Sequence, residues 1–148
     1  MQPQHLSIPR FRPDGYLPDG LHLATKDELL FRFGSSSRRR RRLVIRIQRW
    51  IDLAQRVGVL RLLVDGSFVT GKDDPEDIDA VILLPVDFQE QIERGIDSAL
   101  ELEEMILTRR PEEIFAAEDE ADWNEWVDFF SRTREADGRR KGLVEVRL

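Results

Sequence analysis

Two apolar runs, residues 59–65 and 78–84, are the strongest constraint on what this chain folds into. Each reads as a buried strand, the first bounded by Gly66 and the second closed by Pro85. The loop between them carries Gly71 and Pro75 and is otherwise strongly acidic. The second run is entered through Asp77-Ile78-Asp79, so any sheet built from these strands carries polar chemistry at one end.

The rest of the chain supplies helices and further strands. Residues 38–57 have the clearest helical period: at about 100° per residue Leu43, Ile47, Trp50, Ala54 and Val57 share one stripe, with Arg38, Arg42, Arg49 and Arg56 opposite. Ser35-Ser-Ser37 offers a cap for this helix and Gly58 ends it. Residues 88–108 are expected to form one helix, with Ile92, Ile96, Leu100 and Glu103 marking turns and Pro111 breaking it. Residues 112–117 read as a short strand. From Ala121 a further helix points Trp123, Trp126, Val127 and Phe130 inward, and residues 143–148 alternate as a last strand after a turn bracketed by Gly138 and Gly142.

Residues 1–25, with Pro13-Asp-Gly15 and Pro18-Asp-Gly20, read as an extended, turn-filled arm. A capping box of Thr25 and Glu28 then opens a short helix that runs to Phe33 and stops at Gly34. The chain thus divides into an arm with a short helix, 1–34, and a main domain, 35–148. The expected fold is α/β or α+β, a small mixed sheet flanked by helices.

Composition narrows the function. With 148 residues, 41% apolar and 35% charged, the chain has the make-up of one globular domain with a heavily charged surface. No apolar run approaches the roughly 18 residues of a membrane span, and the start of the chain lacks the apolar centre of a secretion signal. There is no cysteine, which excludes disulfides and thiolate chemistry; a cytoplasmic, membrane-free protein is expected. A net charge of −6 opposes indiscriminate nucleic-acid binding, although the five arginines 38–42 leave room for a local basic face toward an anionic partner or, more simply, a solvated helix surface. His5 and His22 have no metal-ligand spacing.

The chemistry is concentrated between residues 63 and 84. Side chains two apart on a strand share a side, so Asp77 and Asp79 would face one way with Ile78 in the core. Adjacent carboxylates repel unless a cation lies between them, and hard oxygen donors suit Mg²⁺ or Mn²⁺. Gly66, with no Cβ, would let a phosphate approach the backbone, where successive N–H groups form an anion nest. Ser67 would donate to a terminal phosphate oxygen and Lys72 would supply a compensating charge.

This stretch resembles the signature of the nucleotidyltransferase superfamily, the DNA polymerase β-like fold: an apolar residue, Gly, Gly or Ser, then after a loop Asp, an apolar residue, and Asp or Glu. A wider match through Gly15-Tyr-Leu-Pro18, Thr25-Lys-Asp-Glu28, Asp65-Gly-Ser-Phe-Val-Thr70 and Lys141-Gly-Leu143 is similar to a poorly characterised family of small bacterial nucleotidyltransferase-like proteins. The resemblance implies a nucleotidyltransferase-like domain that moves a nucleoside monophosphate from a nucleoside triphosphate, with Mg²⁺, to a hydroxyl of a protein, RNA or small molecule. By the match, Gly66 and Ser67 would hold the triphosphate, and Asp77 and Asp79 the metals. A third carboxylate, which positions or deprotonates the acceptor, would be Glu113 or Glu145, with Glu113 preferred on order. Asp65 departs from the pattern, standing where an apolar residue is usual. The alternative is a catalytically degenerate nucleotidyltransferase-like binding protein, such as one half of a toxin–antitoxin pair; a homo-oligomer is compatible with either.

Overall fold

The structure is a computed structural model that describes residues 8–108 and 113–148. His5, Pro111 and Glu112 lie outside the described residues. The elements run β1 (Gly20–Thr25), α1 (Lys26–Phe33), α2 (Arg38–Val57), β2 (Arg61–Asp65), a 3₁₀ turn (Ser67–Val69), β3 (Asp79–Leu83), α3 (Phe88–Glu93), α4 (Asp97–Thr108), β4 (Glu113–Ala117), α5 (Glu120–Phe130) and β5 (Gly142–Arg147). The fold is α+β, a single small domain built on one five-stranded mixed sheet in the order β1-β5-β2-β3-β4. The outer pairs β1–β5 and β3–β4 are parallel, while β2 runs antiparallel to β3 and β5.

Alternation along the central strands sends side chains to two separate cores. Leu62, Val64, Ala80, Ile82, Ile114, Val144 and Val146 join the buried stripe of α2, where Leu43, Ile47, Trp50, Ala54 and Val57 all lie inward as their spacing requires. Leu63, Val81, Leu83, Ala117 and Leu143 face the other way, under Trp123 and Phe130 of α5. Trp126 and Val127 are half-buried against that second core. Among the described residues, no helix is long and apolar enough to cross a membrane.

Helix ends follow local chemistry. Thr25 and Glu28 form the reciprocal capping box of α1, Ser37 accepts from the Arg40 N–H to cap α2, and Gly58 closes α2 in the left-handed region at φ +83°. Two expectations are corrected. Residues 88–108 are not one helix: Gly95, at φ +69°, separates α3 from α4, and Ile96 and Leu100 lie exposed while Ala99, Leu102 and Met105 face the core. Residues 20–25 are not arm but an edge strand held by parallel pairing to β5, on which His22 bonds the Pro18 carbonyl at 2.7 Å. The described remainder of the arm is anchored by buried Ile8 and Leu17.

The run of arginines has two fates. Arg38, Arg42, Arg49 and Arg56 are exposed, with Arg49 paired to Glu101 at 2.8 Å and Arg56 to Asp52 at 3.2 Å. Arg40, in contrast, is 3% exposed and donates to the carbonyls of Phe33 (3.1 Å), Phe68 (2.6 Å), Thr70 (2.8 Å) and Lys72. Arg39 holds the carbonyls of Pro75 at 2.9 Å and Glu76 at 2.8 Å. Two neighbouring guanidinium groups therefore carry the loop between β2 and β3. Arg40→Met removes the guanidinium donors to the carbonyls of Phe33, Phe68, Thr70 and Lys72, and should cost about 3 kcal/mol or more in urea unfolding. Arg40→Lys should recover little, because one ammonium cannot match a planar fork; a loss below about 1 kcal/mol for the Met variant would contradict this role.

Candidate functional site

Strand register brings the acidic residues together. Asp65 ends β2 and pairs with Asp79 at the start of β3, and Asp79 pairs with Glu113 at the start of β4. Registered residues on neighbouring strands point to the same face about 4.8 Å apart, so three carboxylates form a row across the sheet end. Asp77 precedes this row in the connecting loop, exposed, while Asp79 and Glu113 are half-buried and Asp65 is 1% exposed. Asp65 and Asp79 of this row line a cleft of about 930 Å³, with Gly66, Ser67, Asp77 and Lys141 beside them on the sheet side; Glu113, next to Asp79, is not part of the lining. Gly15 and Tyr16 of the arm, Lys72 of the loop and Arg132 and Arg134 beyond α5 make its other walls.

Gly66 is constrained twice. It sits at φ +90°, and a Cβ would lie 2.9 Å from the Asp77 carbonyl oxygen and 3.0 Å from Ile78 Cα. The loop folds back on this glycine: the Ser67 N–H donates to Asp77 Oδ1 at 3.0 Å, and the Phe68 N–H to the Asp77 carbonyl at 3.2 Å. The Ser67 hydroxyl accepts from the N–H groups of Glu76 and Asp77, at 2.9 and 3.1 Å, and donates to Asp77 Oδ1 at 2.5 Å. The backbone nest expected for a phosphate thus holds the Asp77 carboxylate, with Oδ2 outside these contacts. Lys72 is exposed at the cleft wall, its carbonyl held by Arg40.

The two candidates for a third carboxylate are separated cleanly. Glu145 pairs in register with Leu63, one step inside the row, and receives two 2.8 Å bonds from Arg61. Glu113 stands next to Asp79. Among the described residues no group of three or more acidic or histidine side chains is arranged to hold a metal ion. The donor chemistry, carboxylate oxygens alone, nevertheless suits a hard divalent cation.

Asp79 records the crowding. Burial first, then the charges of Asp77, Asp65 and Glu113, push its carboxyl up to about 7, against a lowering pull from Lys141. Burial likewise raises Asp65, which Lys141 and the Gly66 N–H pull partly back. Lys141 Nζ lies 3.1 Å from Asp65 Oδ1. Neither member of this pair was expected as a site residue. The signal was the carboxylate at the end of an apolar strand, which demands a cation somewhere else in the chain.

The comparisons with known proteins place the chain in a family without assigning it an activity. Residues 9–147 match the model of a family of unknown function, DUF6932. The chain belongs to that family. No curated protein and no solved structure shows significant similarity to it.

Two outcomes test the site as a structure. Gly66→Ala should destabilise by about 2 kcal/mol or more, since a left-handed residue acquires both a Cβ and a clash with the Asp77 backbone; a thermal melt within about a degree of wild type would contradict it. In chelator, between about pH 4 and 7 the folded protein keeps a proton on Asp79 that the unfolded chain has released, so stability falls as pH rises through that window. Asp79→Asn should flatten this slope in denaturant titrations. Parallel pH profiles for the two proteins would show that Asp79 does not titrate there.

Proposed function

We propose that the protein is a Mg²⁺-dependent nucleotidyltransferase that moves a nucleoside monophosphate from a nucleoside triphosphate to a hydroxyl of a protein, RNA or small molecule, in the cytoplasm. The observation that carries this reading is the cleft shared by Asp79, Asp77 and the Gly66-Ser67 turn, with strand register setting Glu113 beside Asp79. Asp77, through Oδ2, and Asp79 would hold the metal, whose positive charge would favour the ionised form of the Asp79 carboxyl that burial and the neighbouring acids oppose. When bound, the metal would stabilise negative charge on the attacking and leaving oxygens.

This chain's own residues then have distinct tasks. Gly66 lets the loop close tightly on the Asp77 backbone at the edge of the cleft, and Lys72 brings charge to the cleft wall. Ser67 fixes the direction of Asp77 through the contacts described above. Glu113 takes the proton of the acceptor hydroxyl as the new O–P bond forms at the α-phosphorus and the bond to pyrophosphate breaks. Most of the rate enhancement asked of such a site is positioning and charge stabilisation.

A second reading has its own support. The described carboxylates do not stand in a closed metal-holding group, and Ser67 restrains Asp77. That arrangement suits a nucleotide-binding relative that no longer transfers, for instance one partner of a toxin–antitoxin pair.

Incubation with each labelled triphosphate, Mg²⁺ and cell extract separates the two. Wild type should label an acceptor, Asp77→Ala/Asp79→Ala should lose about a hundredfold or more, and Glu113→Gln should bind nucleotide normally but label slowly. Equal labelling by wild type and the double variant would sink the transferase proposal. Nucleotide binding without labelling would favour the second reading.

A further inference from the structure

The cleft needs a cation for a phosphate, and the turn that was expected to serve is committed elsewhere. The Ser67 and Phe68 N–H groups already hold oxygens of Asp77. Arg40 and Arg39 point into the loop and donate to its carbonyls. Arg132 is paired with Asp128 at 2.6 Å, and Lys72 and Arg134 are exposed at the cleft wall. Lys141 differs from all of these. It lies just before β5, lines the cleft floor beside Gly66, keeps only 16% of its side chain exposed, and is fixed at 3.1 Å by a carboxylate that is 2% exposed.

The pair has no evident value for stability. Taking two charges out of water costs more than their attraction generally returns, and an apolar pair of similar volume is usually as stable or more so. Leu63 and Val64, the preceding residues of the same strand, are buried apolar side chains. A buried Asp65–Lys141 pair at the strand end, opening on the cleft, is instead an arrangement that aims an ammonium with little freedom to move.

We propose that Lys141, oriented by Asp65, is the phosphate-binding cation of the cleft floor and takes the polyphosphate tail of the ligand next to Gly66. This rests on the nucleotide reading given above. Asp65 neutralises Lys141 in the resting protein, so the ammonium adds hydrogen-bond donors at a fixed position without adding net charge to the floor. Asp77 and Asp79 are left to the divalent cation that accompanies a polyphosphate.

The decisive variant is Asp65→Leu/Lys141→Met, which removes one charge of each sign and leaves the net charge of the site unchanged. Isothermal titration with tripolyphosphate at fixed free Mg²⁺, and with Mg²⁺ alone, provides the readout, and thermal melts confirm folding. The double variant should melt no lower than wild type, bind Mg²⁺ unchanged within about twofold, and bind Mg²⁺–tripolyphosphate about tenfold or more weakly. Lys141→Arg, which keeps both the pairing and the donors, should retain most of the affinity. If the double variant misfolds, Lys141→Gln, which can still hydrogen-bond Asp65, carries the same expectation of weaker tripolyphosphate binding. Undiminished tripolyphosphate binding in the folded variant overturns the assignment of Lys141 while leaving the nucleotide reading standing. A wild-type protein that binds neither tripolyphosphate nor a nucleoside triphosphate with Mg²⁺ overturns both.

Discussion

A single buried guanidinium decides whether this protein has a site at all. Arg40 gathers carbonyls from the end of α1 and from three points of the β2–β3 loop, at Phe68, Thr70 and Lys72. Phe68, Val69 and Ile78 anchor the two ends of this loop in the core, but the stretch between them, rich in Asp and Gly, has little apolar surface of its own, and its backbone acceptors would otherwise need water. Arg39 completes the clamp at Pro75 and Glu76. Because both come from the first turn of α2, the packing of that helix onto the sheet and the shape of the acidic loop are one structural event. Damage to either reaches the other.

The second determinant is register. Asp65, Asp79 and Glu113 become neighbours because each stands at the matching end of its strand. A slip of one residue in β3 would turn Asp79 toward the α2 core and put Ala80 in the row. The apolar residues behind the acids, Leu63, Val81 and Phe115, pack under α5 and prevent such a slip. Hydrophobic packing on that face is therefore what holds like charges side by side, and burial together with those neighbouring charges pushes the Asp79 carboxyl up.

Much of this was legible from residue order. Residues 38–57 carry a clean period between a serine cap and a glycine stop, and the structure places α2 at those positions. The apolar runs around 59–65 and 78–84 are strands, trimmed at their ends. Glu113 falls on a strand despite the weak strand character of its segment, because parallel pairing with β3 supplies what local propensity does not. β1 was hidden by the turn residues around it and by an edge position that leaves its faces only partly buried. The role of Arg40 was masked by its neighbours: it lies three residues before Leu43, on the same apolar stripe, yet in a run of five arginines it reads as surface. The Asp65–Lys141 pair joins residues far apart in the chain, and no local pattern reports a partner at that distance.

The position of β5 has a consequence for the order in which the molecule assembles. β2 and β3 are close in sequence and antiparallel, so they can pair early and set Asp65 against Asp79 on their own. The strand between β1 and β2, however, is built from residues 142–147, and Gly20 waits for Gly142 to complete its pairing. Until then both strands keep an open hydrogen-bonding edge. Lys141 arrives with that same strand, so the buried Asp65 receives its counter-charge only as the sheet closes. The floor of the cleft is thus complete only once β5 is paired, and a chain without that pairing presents acids without the cation that offsets them.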